Sequence, residues 1–512
     1  MMANKASKKG FVVAGLLLGI LMAAMDNTIV ATAMGTIVGD LGGLDQFIWV
    51  TSAYMIASVA GMPIFGKLSD MYGRKRFFMA GLLIFIVGSI LCGTAHDMVQ
   101  LSIYRAIQGL GGGALMPIAF TIMFDSFPPE KRGKMSGLFG AVFGISSVFG
   151  PLLGAYLTDY LDWRWVFYVN IPLGLAALFF VFRFYFESME RREQKIDWAG
   201  AILLVSSVLC LMFALELGGK EIDWTSPLMF LLFGGFAVFL AFFIYVEKKA
   251  SDPIISFSLF KNRLFAASQG AGFFYGSAFI LGTIFIPIFV QGVYGGSATN
   301  AGLILTPMML GSVAGSQIGG GFAAKTSYRN LMIISALFFI TGIYLLSTLT
   351  AETPRILVTV FMAIMGLGVG FSFPLLSMAS IHGISMRQRG TANSTNAFFR
   401  SIGMTLGITI FGTIQNNLFI DKLTKAFPDF SKFSPTGDTR ALLSASARAN
   451  IPKDVLAQIS KSMAESISSM FGWSLIAAVL ALVFVLLMPN NRLETSQKPS
   501  AAHAMKKPGM AE

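Results

Sequence analysis

The sequence predicts an all-α integral membrane protein of fourteen transmembrane helices, built as two six-helix bundles with two helices inserted between them. Three observations predict it. Only 12% of the 512 residues are charged and 55% are hydrophobic, whereas soluble domains carry about 25% charged residues. Apolar runs near the ~20 residues that cross a hydrocarbon core recur along the whole chain. One glycine-rich segment occurs twice, at a fixed offset of 257 residues.

Residues 1–10 form a basic N-terminus with Lys5, Lys8 and Lys9. With Ala31-Thr32-Ala33 further on, this start imitates a signal peptide, but Asp26 and Asn27 interrupt the approach to that site. It reads as an uncleaved first helix. Spans are expected at 11–36, 47–66, 77–95, 98–123, 135–158 and 164–183, giving an N-terminal bundle over 11–185. Two more, 198–217 and 226–246, form an insert over 197–247. The last six, 264–291, 298–322, 330–350, 355–379, 394–416 and 469–488, give a C-terminal bundle over 263–488. Its long connection, 417–468, reads as an outer hairpin, with helical composition at 439–449 and 453–470. The tail, 489–512, is polar and reads as disordered.

An even number of spans puts both termini on one side. Segments on that side hold 26 of the 38 Lys and Arg residues. The short loops opposite hold only Arg164, Lys220 and Arg355. Basic loops stay in the cytoplasm, so both termini are expected there. The same bias accounts for the net charge of +12 without nucleic acid. Three His and two Cys leave no metal cluster and no disulfide framework. No nucleophile–base pair supports an enzyme.

The repeat aligns Ile107 to Gly113 and Pro117 with Ile364 to Gly370 and Pro374, and continues to Arg132-Gly133 against Arg389-Gly390. Parallel repeats in a membrane protein imply two homologous bundles with a site between them. The copies differ where charge matters. Met362 stands where the first half has Arg105, and Lys325 where it has Asp70.

Asp26 is the only charge in the first span. At that depth it costs roughly 2.5–3.5 kcal/mol on insertion scales, which makes it a functional candidate by default. Gly15, Gly19, Met22 and Ala23 share its helical face, so it should point into the bundle. Arg105, on an antiparallel span at a matching depth, is its expected partner, with Gln108 one turn on. Asp26 and Arg105 are the expected proton-coupling pair. Arg400 reads either as a counterpart charge in the second half or as a side chain that snorkels to the interface. Asn27, Tyr54, Gln108, Gln269, Phe273, Phe274, Tyr275 and Gln291 are candidates for the lining of a substrate cavity, as is Trp49.

Several motifs resemble one family. Gly66-Lys67-Leu68-Ser69-Asp70-Met71-Tyr72-Gly73-Arg74-Lys75-Arg76 resembles the signature loop of the major facilitator superfamily. Arg105, Gln108 and Gly109 resemble its fourth-helix motif. Gly144, Gly150-Pro151 and Gly154 resemble the fifth-helix motif of its exporters, with Ser146 and Ala155 where glycine is usual. Asp26-Asn27-Thr28-Ile29-Val30, Trp163 to Phe167 and Asn170-Ile171-Pro172 resemble its fourteen-helix drug:proton antiporters. The resemblance implies alternating access in a plasma membrane, bacterial by expectation, and proton-driven export of drug-like molecules. It implies a monomer with no cofactor beyond the coupling proton. Gly66, Asp70, Gly73, Arg74 and Asp125 would form a conformational latch. An exporter dedicated to one antibiotic, lipid or metabolite is the alternative on the same scaffold.

Overall fold

The computed structural model describes residues 2–42, 46–187, 196–219, 222–295, 298–323, 325–427 and 452–492. Among these the chain is helical, with fifteen α-helices and two short 3₁₀ turns, Phe257–Lys261 and Met386–Gln388. The first bundle comprises α1 (Met2–Leu41), α2 (Phe47–Tyr72), α3 (Arg74–Gly93), α4 (Met98–Ser126), α5 (Pro129–Tyr160), α6 (Trp165–Tyr168) and α7 (Asn170–Phe184). The insert is α8 (Trp198–Leu217) and α9 (Pro227–Lys249). The second bundle comprises α10 (Arg263–Tyr294), α11 (Ala298–Phe322), α12 (Tyr328–Leu346), α13 (Arg355–Ile381), α14 (Arg389–Ala426) and α15 (Lys453–Leu486).

Thirteen segments are long and apolar enough to cross a membrane, α6 and α7 together counting as one. The fourteenth by length, α11, has 25 residues, six of them glycine. Side-chain caps start several of them. Asp97 accepts from the backbone of Gln100 at α4, and Asp197 from that of Gly200 at α8, both at 2.8 Å. Each satisfies an N–H that the first turn leaves without a partner.

Two departures from the expected spans have local causes. The sixth span divides into α6 and α7 at Val169, whose backbone stays helical (φ −60°, ψ −24°), with Asn170 following it. Pro172 is tolerated there because first-turn N–H groups have no intrahelical acceptor. The long connection is not a loop at its described ends. Residues 417–426 continue α14, and 453–468 are the first part of α15. Lys422 donates to Glu465 at 2.6 Å and Gln415 to Ser466 at 3.1 Å, tying these two extensions together. The helical reading of 439–449 and the disordered tail from 493 on lie outside the described residues.

The duplication is visible in packing. A Cβ on Gly88 of α3 would lie 2.6 Å from the Cα of Gln108, and one on Gly342 of α12 lies 2.6 Å from that of Met365. Gly109 and Gly366 press on the carbonyls of Tyr54 and Met308, and Gly113 and Gly370 on those of Ser58 and Ser312. Small residues let helix backbones approach where lipid supplies no hydrophobic drive for association.

The two halves meet toward the side that carries the chain termini. There Gly137 and Gly140 of α5 pack on Gln317 and Ser316 of α11, and Gly66 of α2 on Ser394 of α14. Further across, α5 turns instead to its own half, with Gly150 against Thr28 and Gly154 against Thr32 of α1. A Cβ on Gly35 or Gly39 of α1 would meet nothing within 4 Å. The molecule is thus closed at the terminal side and splayed opposite.

A valine at Gly111, whose Cβ position lies 2.5 Å from the backbone N of Phe85, should destabilise the fold by about 1–3 kcal/mol through overpacking. Thermal unfolding in detergent should show a lowered Tm for Gly111→Val and an unchanged one for Gly35→Val. Equal values would contradict the packing described.

Candidate functional site

Four helices of the first bundle converge on Asp26. Its Oδ2 accepts from Nη1 of Arg105 in α4. Its Oδ1 accepts from Gln108 Nε2 at 2.8 Å and from Asn170 Nδ2 at 3.0 Å. Both amides also donate to Ser89 Oγ of α3, at 2.7 and 3.4 Å. Asp26, Ser89, Arg105, Gln108 and Asn170 are all fully buried.

The guanidinium is held through Nε and Nη1. Arg105 Nε donates to the Val50 carbonyl at 3.1 Å and Nη1 to Gln108 Oε1 at 2.6 Å. Its remaining nitrogen, Nη2, has no hydrogen-bond partner. The guanidinium carbon lies 4.3 Å from the centroid of the Tyr54 ring, whose π face is the nearest electron-rich surface. Cys92 Sγ closes the edge, 3.8 Å from Gln108 Oε1. Removing either charge alone would leave the other uncompensated in a buried, apolar setting, which costs far more than losing the pair.

The expected pair is therefore in direct contact, and Gln108 belongs to it rather than to a substrate surface. Tyr54 likewise packs on Arg105 instead of lining a cavity. Asn170 and Ser89 complete the network, although the spacing of the sequence did not assign them to it. The signal for Asn170 was a carboxamide inside an apolar span, directly before Ile171-Pro172.

Other cavity candidates are placed differently. Tyr275 bonds Ser335 Oγ at 2.8 Å and stacks on Phe339 at 4.8 Å, so it packs α10 against α12. Gln269 donates to the carbonyl of Phe265 in its own helix at 3.2 Å and is buried. Phe274 stacks on Phe484 of α15 at 5.6 Å, away from the first bundle, with Phe273 edge-on to it. Trp49 leans on Phe213 of the insert at 5.4 Å. Asn27 is exposed on α1, and Gln291 is half-buried near the far end of α10.

A second polar cluster lies where the halves touch. Asp70 accepts from the backbone N–H of Gly390 at 2.9 Å and of Thr391 at 2.7 Å, the first turn of α14. A carboxylate there satisfies free donors and meets the positive end of the helix dipole. Arg74 pairs with Asp70 at 3.3 Å and with Asp125, and donates to the Met386 carbonyl. Arg389 completes the ring through Asp125 Oδ1 at 2.5 Å. Glycine is required twice in the motif. Gly66 allows α2 to touch α14 at the Gly390 carbonyl, 2.9 Å from its Cβ position, and Gly73 has φ +110° with Glu187 against it. The expected latch residues thus converge across the two halves. The second copy has Lys325 at the place of Asp70, and Arg132 bonds the carbonyls of Phe124 and Phe127 within its own half instead.

The fifth-helix motif joins these regions. Gly144 packs on Val313 of α11, while Gly150 and Gly154 seat Thr28 and Thr32 of α1. Thr28 Oγ1 donates to the Met25 carbonyl at 2.8 Å and also lies 3.3 Å from that of Ser146.

The profile of the Major Facilitator Superfamily matches residues 16–408. The chain is 60% identical over 500 residues to "Multidrug resistance protein 3" of Bacillus subtilis, covering 96% of this chain and 98% of the relative. It is 37% identical to "Multidrug transporter protein MdtP" of the same organism, covering 99% and 98%. Among solved structures, the proton:xylose symporter XylE superposes with a TM-score of 0.60 at 14% identity, over 96% of this chain and 98% of that one.

Asp26→Asn should lower stability by about 3 kcal/mol by stranding the buried guanidinium. The double variant Asp26→Asn/Arg105→Met should recover part of that loss, as read by Tm in detergent. Additive losses would contradict direct pairing. Asp70→Asn should speed hydrogen exchange at Gly390 and Thr391 while leaving α4 protected, whereas unchanged exchange would mean the carboxylate does not hold that helix terminus.

Proposed function

Since the chain belongs to the major facilitator superfamily, we propose that it is a proton-coupled antiporter that exports lipophilic, often cationic drugs from the cell by alternating access. It is a multi-pass membrane transporter rather than an enzyme. The observation that carries the coupled reading is the fully buried Asp26, held by three side-chain donors from α4 and α7. The names of its relatives support drug-like substrates. The charge bias of the loops supports cytoplasmic termini, so the splayed side faces outward.

Asp26 is the proton carrier in this reading. When ionised, it needs Arg105, Gln108 and Asn170. When protonated, it is neutral and releases part of that demand, since a carboxylic acid accepts more weakly than a carboxylate. The guanidinium is then free to shift. Two helices carry the change onward. On α1, Thr28 is two residues from Asp26 and bears on α5, whose inner half forms the contact with α11. On α4, the carbonyl of Pro117 accepts from Asn393 of α14 at 2.9 Å, and Asp125 at the helix end joins Arg74 and Arg389. Loss of either contact loosens the terminal side. The driving force suffices: about 2.3 kcal/mol per charge per 100 mV, with about 1.4 more per pH unit.

Everted vesicles or proteoliposomes with an imposed pH gradient test this directly. Wild-type protein should accumulate a cationic dye and release protons in step. Asp26→Asn should lose gradient-driven uptake yet retain dye counterflow, which shows that it is folded. Normal proton-driven uptake by Asp26→Asn would sink the assignment.

A further inference from the structure

The second bundle lost the partner of Asp26 but kept a cation of its own. Arg400 of α14 is 8% exposed, so it does not snorkel to the interface. Among the described residues no Asp or Glu forms an ion pair with it. Its hydrogen-bond partner is the neutral Asn396, at 3.4 Å from Nη2. Its Nε is buried without a partner. The guanidinium carbon lies 4.7 Å from the ring of Phe373 on α13, itself edge-on to Phe279 of α10 at 6.0 Å. On α10, Gly276 leaves room for the side chain, a Cβ there lying 3.2 Å from Arg400 Cγ.

The position gives this cation a use. Asn393, two turns earlier on the same face of α14, bonds the Pro117 carbonyl and closes α14 against α4. Arg400 lies about 10 Å beyond that closure, toward the splayed side, by a helix rise of ~1.5 Å per residue. It therefore lies on the splayed side of that closure, with its Nε unpartnered and Nη2 held only by the long contact to Asn396. A buried guanidinium without a counterion is costly, and the Nε–Nη2 edge, whose Nε has no acceptor and whose Nη2 has only a long one, is the edge that takes a carboxylate side-on. Asp26 cannot serve, since it is neutralised by Arg105 within its own bundle. We propose that Arg400 is the anchor of an anion subsite, binding the carboxylate of amphipathic aromatic substrates whose rings pack on Phe373 and Phe279. This rests on the efflux reading above and extends its substrates from cations to carboxylate-bearing compounds.

The test uses purified full-length protein and a matched pair of dyes, rhodamine 110, which carries a free carboxylate, and its methyl ester, rhodamine 123. Fluorescence polarisation in detergent measures binding. Arg400→Gln should weaken the acid about tenfold and leave the ester nearly unchanged, the loss expected for one charge-assisted contact. Arg400→Lys should fall between. Equal loss for both dyes, or none for the acid, overturns the proposal. Should Arg400→Gln fail to fold, wild-type protein still decides: benzoate must displace the acid and spare the ester, and equal displacement overturns it. In proteoliposomes, acid-selective binding without gradient-driven transport of either dye would sink the export reading alone. Transport of both dyes without acid selectivity would sink the anion site alone.

Discussion

One ion pair organises the first bundle. Asp26 and Arg105 are each intolerable alone in an apolar interior and acceptable together. Meeting that constraint fixes much else. Gln108 and Asn170 must supply the second carboxylate oxygen, and Ser89 must take their spare hydrogens. Val50 must offer its carbonyl, and α7 must turn Asn170 inward. Five spans, carrying Asp26, Val50, Ser89, Arg105 and Asn170, are thereby tied through one polar centre. Such a centre specifies register because a slipped helix would strand a charge.

The halves share a backbone plan and divide the chemistry. Corresponding glycines press on corresponding carbonyls, yet Met362 and Met365 stand where Arg105 and Gln108 do. Methionine fills that space without demanding partners. The second bundle is thus freed from the polar centre, while its α14 is gripped at the first turn by Asp70 of the first. Charge on one side and a helix terminus on the other make the contact directional.

Spans, duplication, the Asp26–Arg105 contact and the Asp70 cluster were legible in the sequence because each rests on a local rule. Those rules are span length, a fixed repeat offset, the cost of a charge at depth, and a glycine-framed loop. The cavity lining was not legible. Tyr275, Gln269 and Phe274 have the composition of a binding surface, but whether a residue faces the centre or a neighbouring helix depends on helix rotation, which is set by packing partners far away in sequence. Asn170 escaped for the same reason, since its role depends on which face of the sixth span turns toward Asp26. In the 417–468 connection, the helical reading from 453 on holds as the first part of α15, whereas 417–426 escaped because its polar composition hides a helix that extends beyond the hydrocarbon.

The two seams that close the terminal side differ in kind. Between α2 and α14, closure depends on charges meeting a helix end, with short-range, directional bonds that are either made or lost. Between α5 and α11, glycines face the side chains of Val313, Ser316 and Gln317, and few directional bonds resist sliding. A joint of this construction opens unevenly: the clasp lets go in a single event while the smooth seam pivots. The molecule should therefore swing like a door on its α5–α11 edge rather than part symmetrically, even though its two halves share one packing plan.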